Sequence, residues 1–353
     1  MTDPRVKKAA EILVNHSTKV KKGDYVVING EVSATPLILE VYKLVLKKGA
    51  FPISHISLPG MTYNYFNLAS DAQLKKFPEL AMEETKKADV YIAIYGSSNT
   101  RELTNINPKK ISIRQKVLEP IKYQRLKKRW VLYEFPTESL AQEADMSLDE
   151  FEDFVYGATN LDWKKESKKM HRAFNIMSKG KKVRIVHDDT DLTFSIKGRK
   201  FILADGSYNM PDGEIFTAPV ETSANGYISF SFPTIYAGKE VDGISLVFKN
   251  GKVIKATAKK NESLLKTLIA TDEGSRRLGE FGIGLNYNLK KYIKQILFDE
   301  KIGGTIHLAL GSAYEECKGI NKSALHWDMI KDLRKGGKIY LDGKLVSKNG
   351  KFL

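Results

Sequence analysis

Six polar residues, five of them in the last quarter of the chain, have side chains that could bind a metal ion and support its chemistry. They are Glu214, Glu280, His307, Tyr314, His326 and Asp328. Imidazole and carboxylate groups are the ligands that a borderline divalent ion such as zinc, cobalt or manganese takes in proteins. The sequence therefore predicts a metalloenzyme.

The spacing of the histidines supports this interpretation. His326 and Asp328 are two residues apart in a segment with strand character, so their side chains share one face and aim at one point. His307 is a polar residue inside the apolar run 305–311. A buried imidazole needs partners for both nitrogens, and a metal ion with an acceptor behind the ring supplies them. A core histidine satisfied by hydrogen bonds is the alternative for His307.

The two glutamates also have ordinary alternatives. Glu280 could be ion-paired with Arg276 or Arg277, and Glu214 could be a simple turn residue after Asp212. Together, however, the candidates supply three carboxylates and two imidazoles, which is the inventory for two hydrolytic metal ions rather than one.

The elements that must position these residues change character near residue 180. Before it, extended apolar runs at 24–28, 51–56, 89–95 and 130–133 alternate with helical patterns at 4–20, 35–48, 71–87 and 109–127. This alternation predicts a mostly parallel sheet covered by helices. Asn29-Gly30 is expected to close the first strand in a turn. Ser147 with Glu150 predicts a capping box at the start of a further helix.

After a polar break at 178–182 the hydrophobic period becomes two. Strands are expected at 182–187, 190–196, 201–204, 226–232, 243–249 and 252–257, with helices near 263–270 and 290–297. Asn250-Gly251 predicts a hairpin turn. The expected fold is an N-terminal α/β domain with a mostly parallel sheet (1–180) and a strand-rich α+β C-terminal catalytic domain (181–353) that carries every ligand candidate.

Composition narrows the classes of protein. No run approaches 18 consecutive apolar residues, and the charged helical N-terminus does not resemble a signal peptide, so a cytoplasmic location is expected. Cys317 is the only cysteine, which excludes an intrachain disulfide. The formal net charge is +15, but the lysines are scattered and no helix-turn-helix or RNA-binding signature accompanies them, which argues against nucleic acid as a partner.

Several segments resemble the signature blocks of the aminopeptidase T family of bacterial and archaeal metalloaminopeptidases. They run in order along most of the chain: YEFPTESLAQEADMSLDEFEDFVY (133–156), TDLTFSIKGR (190–199), NMPDGEIFTAP (209–219), LGEFGIG (278–284), HLALGSAY (307–314) and HWD (326–328). The resemblance implies hydrolysis of the N-terminal residue of a peptide, with two divalent ions bound in the C-terminal domain.

The resemblance also implies roles for individual residues. The family's metal-binding positions are matched by Glu214, Glu280, His307, Tyr314, His326 and Asp328. Glu280 is expected to bridge the two ions, and Tyr314 to stabilise the oxyanion or complete the coordination. A homodimer whose C-terminal domains pack together is implied as well. Glu315-Glu316 and Trp327 depart from the pattern common in the family, which could change the pocket wall.

Two alternatives from other classes remain. His307, His326 and Asp328 alone form a 2-His-1-carboxylate set, which suits a mononuclear iron(II) ring-cleaving dioxygenase on a related fold. Glu214 and Glu280 favour two metals because an iron triad needs neither. The non-enzymatic alternative is a basic nucleic-acid-binding protein, which would not need five converging ligands.

Overall fold

The computed structural model describes residues 3–236 and 238–353. Contacts along the chain define two compact units. One extends to Leu161 and includes Gly206–Pro211, and the other comprises Asp162–Asp205 and Asp212–Leu353. The division expected near residue 180 differs from this one in the helix Trp163–Met177, which buries Trp163, Met170 and Met177 and belongs to the second unit.

The described elements are numbered in chain order. The α-helices are α1 Pro4–Glu11, α2 Thr35–Lys47, α3 Met61–Leu68, α4 Asp71–Lys75, α5 Glu79–Lys87, α6 Pro108–Leu126, α7 Glu138–Glu143, α8 Leu148–Thr159, α9 Trp163–Met177, α10 Glu262–Ile269 and α11 Ile296–Asp299. The strands are β1 Tyr25–Glu31, β2 Phe51–Ser57, β3 Val90–Tyr95, β4 Arg129–Glu134, β5 Lys182–His187, β6 Thr190–Ser195, β7 Ile202–Ala204, β8 Asn209–Met210, β9 Glu214–Thr217, β10 Asn225–Ser229, β11 Thr234–Tyr236, β12 Lys239–Val241, β13 Ser245–Lys249, β14 Lys252–Thr257, β15 Leu278–Gly284, β16 Thr305–Gly311, β17 His326–Asp332, β18 Lys338–Leu341, β19 Lys344–Lys348 and β20 Lys351–Phe352.

The first unit contains a parallel sheet in the order β2-β1-β3-β4-β8. β1, β3 and β4 are its interior strands. The buried apolar runs Val26–Ile28 of β1 and Val90–Ile92 of β3 are typical of strands covered on both faces. The predicted helix-covered parallel sheet is therefore confirmed. The predicted capping box, formed by Ser147 and Glu150 at the start of α8, is also confirmed.

Two local expectations in this unit are wrong. β1 does not turn at Asn29-Gly30 but continues to Glu31, paired with both β2 and β3. Gly30 allows the side chain of Ile38 to pack closely against the strand, because a Cβ on Gly30 would lie 2.4 Å from Cδ1 of Ile38. The single helix expected at 71–87 is divided into α4 and α5, since Pro78 disfavours a helical conformation in the residue before it.

The second unit is built from antiparallel strands, which confirms its strand-rich class. β14-β13-β10-β6-β5-β18-β19-β20 form one sheet, β17-β16-β15-β9-β7 a second, and β11-β12 a small hairpin. The predicted turn between β13 and β14 is also confirmed. Asn250 and Gly251 both have positive φ (49° and 80°), as a type I′ turn requires.

The prediction of a helix at 290–297 is wrong. Only α11 is helical in this region. Lys294 has a left-handed backbone (φ 62°), and the N–H of Ile293 donates to the buried carboxylate of Asp299 (2.8 Å) rather than to a helical carbonyl. Among the described helices, none combines the length and hydropathy that crossing a membrane requires.

Candidate metal centre

Five of the six predicted ligand residues lie on the five-stranded antiparallel sheet of the second unit, and Tyr314 follows β16 in the chain. Glu214 begins β9, Glu280 is in β15 and His307 is in β16, while His326 and Asp328 are in β17. β15 and β16 are buried along their whole length. Their polar side chains must therefore find partners inside the protein.

Strand register brings the ligand candidates to one face of this sheet. Glu280 and Asp328 both pair with Ala309, which lies between them on β16. His307 is two residues from Ala309, and His326 is two residues from Asp328. Since side chains alternate along a strand, these four polar residues share a face and surround the small Ala309.

A glycine opposite His307 leaves room for its imidazole. Gly282 pairs with His307, and a Cβ on Gly282 would lie 2.0 Å from the His307 ring. Gly311 pairs with His326. The glycine-rich segment around Glu280 therefore accommodates side chains from the neighbouring strands.

The carboxylates surround both imidazoles at nearly equal distances. Nε2 of His307 lies 3.4 Å from Oε2 of Glu214 and 3.4 Å from Oε1 of Glu280. Nε2 of His326 lies 3.3 Å from Oε2 of Glu280 and 3.4 Å from Oδ2 of Asp328. The two oxygens of Glu280 therefore face different histidines.

These distances fit ligands around an ion better than hydrogen bonds. A charge-assisted N–H···O bond is about 2.7–2.9 Å long. Two ligand atoms each about 2.1 Å from a tetrahedral ion lie about 3.4 Å apart. Among residues 3–236 and 238–353, Oε2 of Glu214 and Oδ1 of Asp328 are buried and have no hydrogen-bond partner. Ligand atoms of Glu280, His307 and Asp328 lie within 4.8 Å of one another. The donor set thus fits a divalent metal.

The carboxylates of the cluster also favour a bound positive charge. Burial alone would lower the pKa of His307, but Glu280 and Glu214 raise it to about 10. Burial alone would also lower the pKa of His326, but Asp328 and Glu280 raise it. The carboxylates therefore hold protons on both rings in the absence of a metal, and a bound cation would take over the role of those protons.

The ring of His326 is oriented by the main chain. Its Nδ1–H donates to the carbonyl of Ser312 at 2.8 Å. This hydrogen bond selects the tautomer in which Nε2 carries the lone pair, and Nε2 is the nitrogen that faces Glu280 and Asp328.

Tyr314 and a cavity adjoin the cluster. The Tyr314 ring lies edge-on to the His326 ring, with centroids 5.2 Å apart. Although 45% of Tyr314 is exposed, burial of the remainder and the charges of Glu280 and Asp328 raise the pKa of its hydroxyl well above the ordinary value. The hydroxyl therefore stays a hydrogen-bond donor. A cavity of about 290 Å³ is lined by His326, Asp328 and residues that include Tyr236, Tyr292 and Trp327.

Lys301 is a residue of the site that sequence reasoning missed. Its side chain is fully buried, and Nζ lies 2.8 Å from Oε1 of Glu214 and in contact with Glu300. In the sequence, Glu300-Lys301 resembles an ordinary surface ion pair, so no local signal identifies it. Gly282 was visible only as part of a glycine-rich segment.

Two imidazoles and three carboxylates on one sheet face form the donor set of a metalloenzyme. The sequence model of the thermophilic metalloprotease (M29) family matches residues 2–352, and the chain belongs to that family. The expected membership of the aminopeptidase T family is thereby confirmed, and the chain is a metal-dependent peptidase.

Comparison with individual proteins shows a similar sequence in one case and a similar fold in two others. Aminopeptidase 2 of Geobacillus stearothermophilus is 25% identical over 98% of this chain and 94% of its own length. Wild-type AmpT from Thermus thermophilus has the same fold, with a TM-score of 0.88 at 22% identity over 99% of both chains. The 2,5-dihydroxypyridine dioxygenase from Pseudomonas putida KT2440 shares the fold less closely, with a TM-score of 0.65 at 14% identity over 99% and 96% of the two chains.

Proposed function

We propose that this enzyme is an aminopeptidase that releases the N-terminal residue of peptides with the help of two divalent metal ions, zinc, cobalt or manganese. The observation that carries the two-ion proposal is the position of Glu280. Its Oε1 lies near His307 and its Oε2 near His326, as expected of a carboxylate that bridges two ions.

Two half-sites follow from this arrangement. Glu214 and His307 lie on the Oε1 side of Glu280, whereas His326 and Asp328 lie on the Oε2 side. Each half-site offers one imidazole, one carboxylate of its own and one oxygen of Glu280. Three protein ligands leave a position for water or substrate, which is the arrangement of catalytic rather than structural sites. Tyr314, the sixth residue of the predicted set, lies beside His326, with ring centroids 5.2 Å apart.

Glu214, Glu280, His307, His326 and Asp328 would hold the two ions, which would supply an activated water, a Lewis acid for the scissile carbonyl and a binding position for the unprotonated α-amine of the substrate. Side chains and the main chain of the protein have the remaining roles. Tyr314, whose hydroxyl keeps its proton, is proposed to donate a hydrogen bond to the oxygen on which negative charge develops. Ser312 holds the His326 ring in place, and the adjoining cavity has room for a substrate side chain.

The substrate and setting follow from the same proposal. Peptides with a free N-terminus are the expected partners, and neither nucleic acid nor a membrane is needed. A homodimer and a cytoplasmic location are proposed from the family resemblance and the sequence.

The direct test is metal analysis combined with hydrolysis of aminoacyl chromogenic substrates after zinc, cobalt or manganese is restored to the chelated protein. We expect two ions per chain, no turnover without them, and N-acetylated substrates to resist cleavage because the amine is blocked. Equal cleavage of acetylated and free peptides would refute the amine-binding mechanism. Activity that survives complete metal removal would refute the metallopeptidase altogether.

The iron dioxygenase is the second candidate because its three ligands are present and a dioxygenase shares the fold. The dioxygenase gives no role to Glu214, whose buried Oε2 lies beside His307 and has no hydrogen-bond partner within the described residues. Loading the protein with iron(II) and measuring oxygen uptake on a dihydroxylated aromatic ring distinguishes the two. Oxygen uptake with one ion per chain would favour the dioxygenase.

A further inference from the structure

Lys301 is a charged side chain that is completely buried beside the metal centre. None of its side chain is exposed, and Nζ lies 2.8 Å from Oε1 of Glu214. A second contact joins Nζ to Oε1 of Glu300, whose side chain is largely buried. Burying an ammonium group is costly unless it is paired and hydrogen-bonded, so its two carboxylate partners account for its presence inside the protein.

The main chain around Lys301 is tied to the turn that delivers Glu214. The carbonyl of Lys301 accepts the N–H of Asn286 at 3.0 Å, and Nδ2 of Asn286 donates to the carbonyl of Asp212 at 2.9 Å. Gly213 has a φ of 116° and no space for a Cβ, which would lie 2.8 Å from Cβ of Asn286. Lys301 and the Asp212–Glu214 turn are therefore held by the same residue.

The ammonium group distinguishes the two oxygens of Glu214. Oε1 accepts a hydrogen bond from Lys301. Oε2 is buried, lies 3.4 Å from Nε2 of His307 and has no hydrogen-bond partner in the part of the chain that the structure describes. Only Oε2 is thus offered to an ion bound by His307. A carboxylate without such a partner could rotate and bind with either oxygen or both.

We propose that Lys301 is a positioning residue that holds Glu214 as a one-oxygen ligand of the ion on the His307 side of Glu280. This inference rests on the proposed two-ion function and deepens it. Partners behind a metal ligand fix its orientation, and their replacement typically lowers metal affinity about 10–100-fold. The effect is confined to one ion, because Lys301 contacts neither His326 nor Asp328 among its hydrogen bonds and ion pairs in the described residues.

A matched control exists in the same unit. Lys331 is also buried (2% of its side chain exposed) and ion-paired, but its partner is Asp189. It lies on β17 three residues after Asp328, so its side chain is on the opposite face of the strand. Lys331→Met therefore removes another buried, ion-paired lysine without changing a contact of the proposed ligands.

The test measures binding of Co²⁺ by competition with a chromophoric chelator in the full-length wild-type, Lys301→Met and Lys331→Met proteins. We expect the wild type to bind two ions. Lys301→Met should keep one ion with wild-type affinity and bind the other about 10–100-fold more weakly. Lys331→Met should bind both as the wild type does, even if it is less stable to heat.

The outcomes separate this inference from the function on which it rests. A wild type that binds fewer than two ions overturns both. A wild type that binds two, with Lys301→Met binding both within twofold of wild-type affinity, overturns only the role of Lys301. An equal loss of metal affinity in Lys331→Met would also overturn the role of Lys301, because the loss would then result from lower protein stability in general. If Lys301→Met does not fold, Lys301→Gln replaces it, and unchanged affinities in that variant overturn the proposal.

Discussion

Both units contain carboxylates that are at least partly buried, but the protonation of these groups is controlled in different ways. In the first unit, Glu31 and Glu134 lie at the C-terminal ends of β1 and β4, and burial together with the charge of Glu31 raises the pKa of Glu134 to about 7. In the second unit, burial alone would raise the pKa of Glu280, but His307 and His326 lower it to about 2.

The difference shows that burial alone does not make a metal centre. A carboxyl group near another carboxylate responds by keeping its proton, which leaves a neutral group. A carboxylate between two imidazoles stays charged, and the imidazole nitrogens add the donor atoms that a divalent ion binds. The histidines of β16 and β17 therefore decide which cluster is the candidate for metal binding.

The largest effect is expected from Glu280→Gln. A neutral amide bridges two ions poorly, so metal content should fall from two ions toward one and peptidase activity by at least about 100-fold. Metal analysis and hydrolysis of an aminoacyl chromogenic substrate measure the two effects. Glu134→Gln, the matched change in the first unit, should alter neither. If Glu280→Gln leaves metal content and turnover unchanged, the two-ion proposal is wrong and the iron alternative is favoured.

A smaller effect is expected from Gly282→Ala. The new Cβ would lie 2.0 Å from the His307 ring, so the imidazole must move. We expect metal affinity to fall about 10–100-fold and the free energy of unfolding by about 1–3 kcal/mol. Chelator competition and urea unfolding measure these quantities. Gly157→Ala in α8, where a Cβ meets nothing within 4 Å, is the control and should be neutral or stabilising. Wild-type metal affinity in Gly282→Ala would contradict the described position of His307.

The smallest effect concerns the first unit and pH. Because the pKa of Glu134 is raised in the folded protein to about 7, the protonated carboxyl favours folding. This contribution is complete below the unfolded pKa of about 4.3 and is lost as pH rises through 7. Relative to Glu134→Gln, the wild type should therefore lose about 1–2 kcal/mol of stability between pH 4.5 and pH 8, a value reduced for partial exposure. If the free energies of unfolding of the wild type and of Glu134→Gln change with pH in the same way, the raised pKa of Glu134 is contradicted.

Local patterns in the sequence were sufficient for the fold class and for much of the candidate site. The alternation of strands and helices predicted the parallel sheet, and the i, i+2 spacing of His326 and Asp328 predicted a shared strand face, which β17 has. Both inferences depend only on side-chain periodicity. The helix expected at 290–297 failed because the carboxylate of Asp299 provides a competing hydrogen-bond acceptor that a periodic pattern does not show.

The sequence by itself determined which residue types are available for metal binding and that His326 and Asp328 share one strand face. Only the tertiary structure decided that Glu280 faces His307 with one oxygen and His326 with the other, and that Lys301 is buried against Glu214. These facts depend on the register between β15, β16 and β17 and on the path of the chain after α11. Register and chain path are set by hydrogen bonds and packing between residues far apart in sequence, which local spacing does not encode.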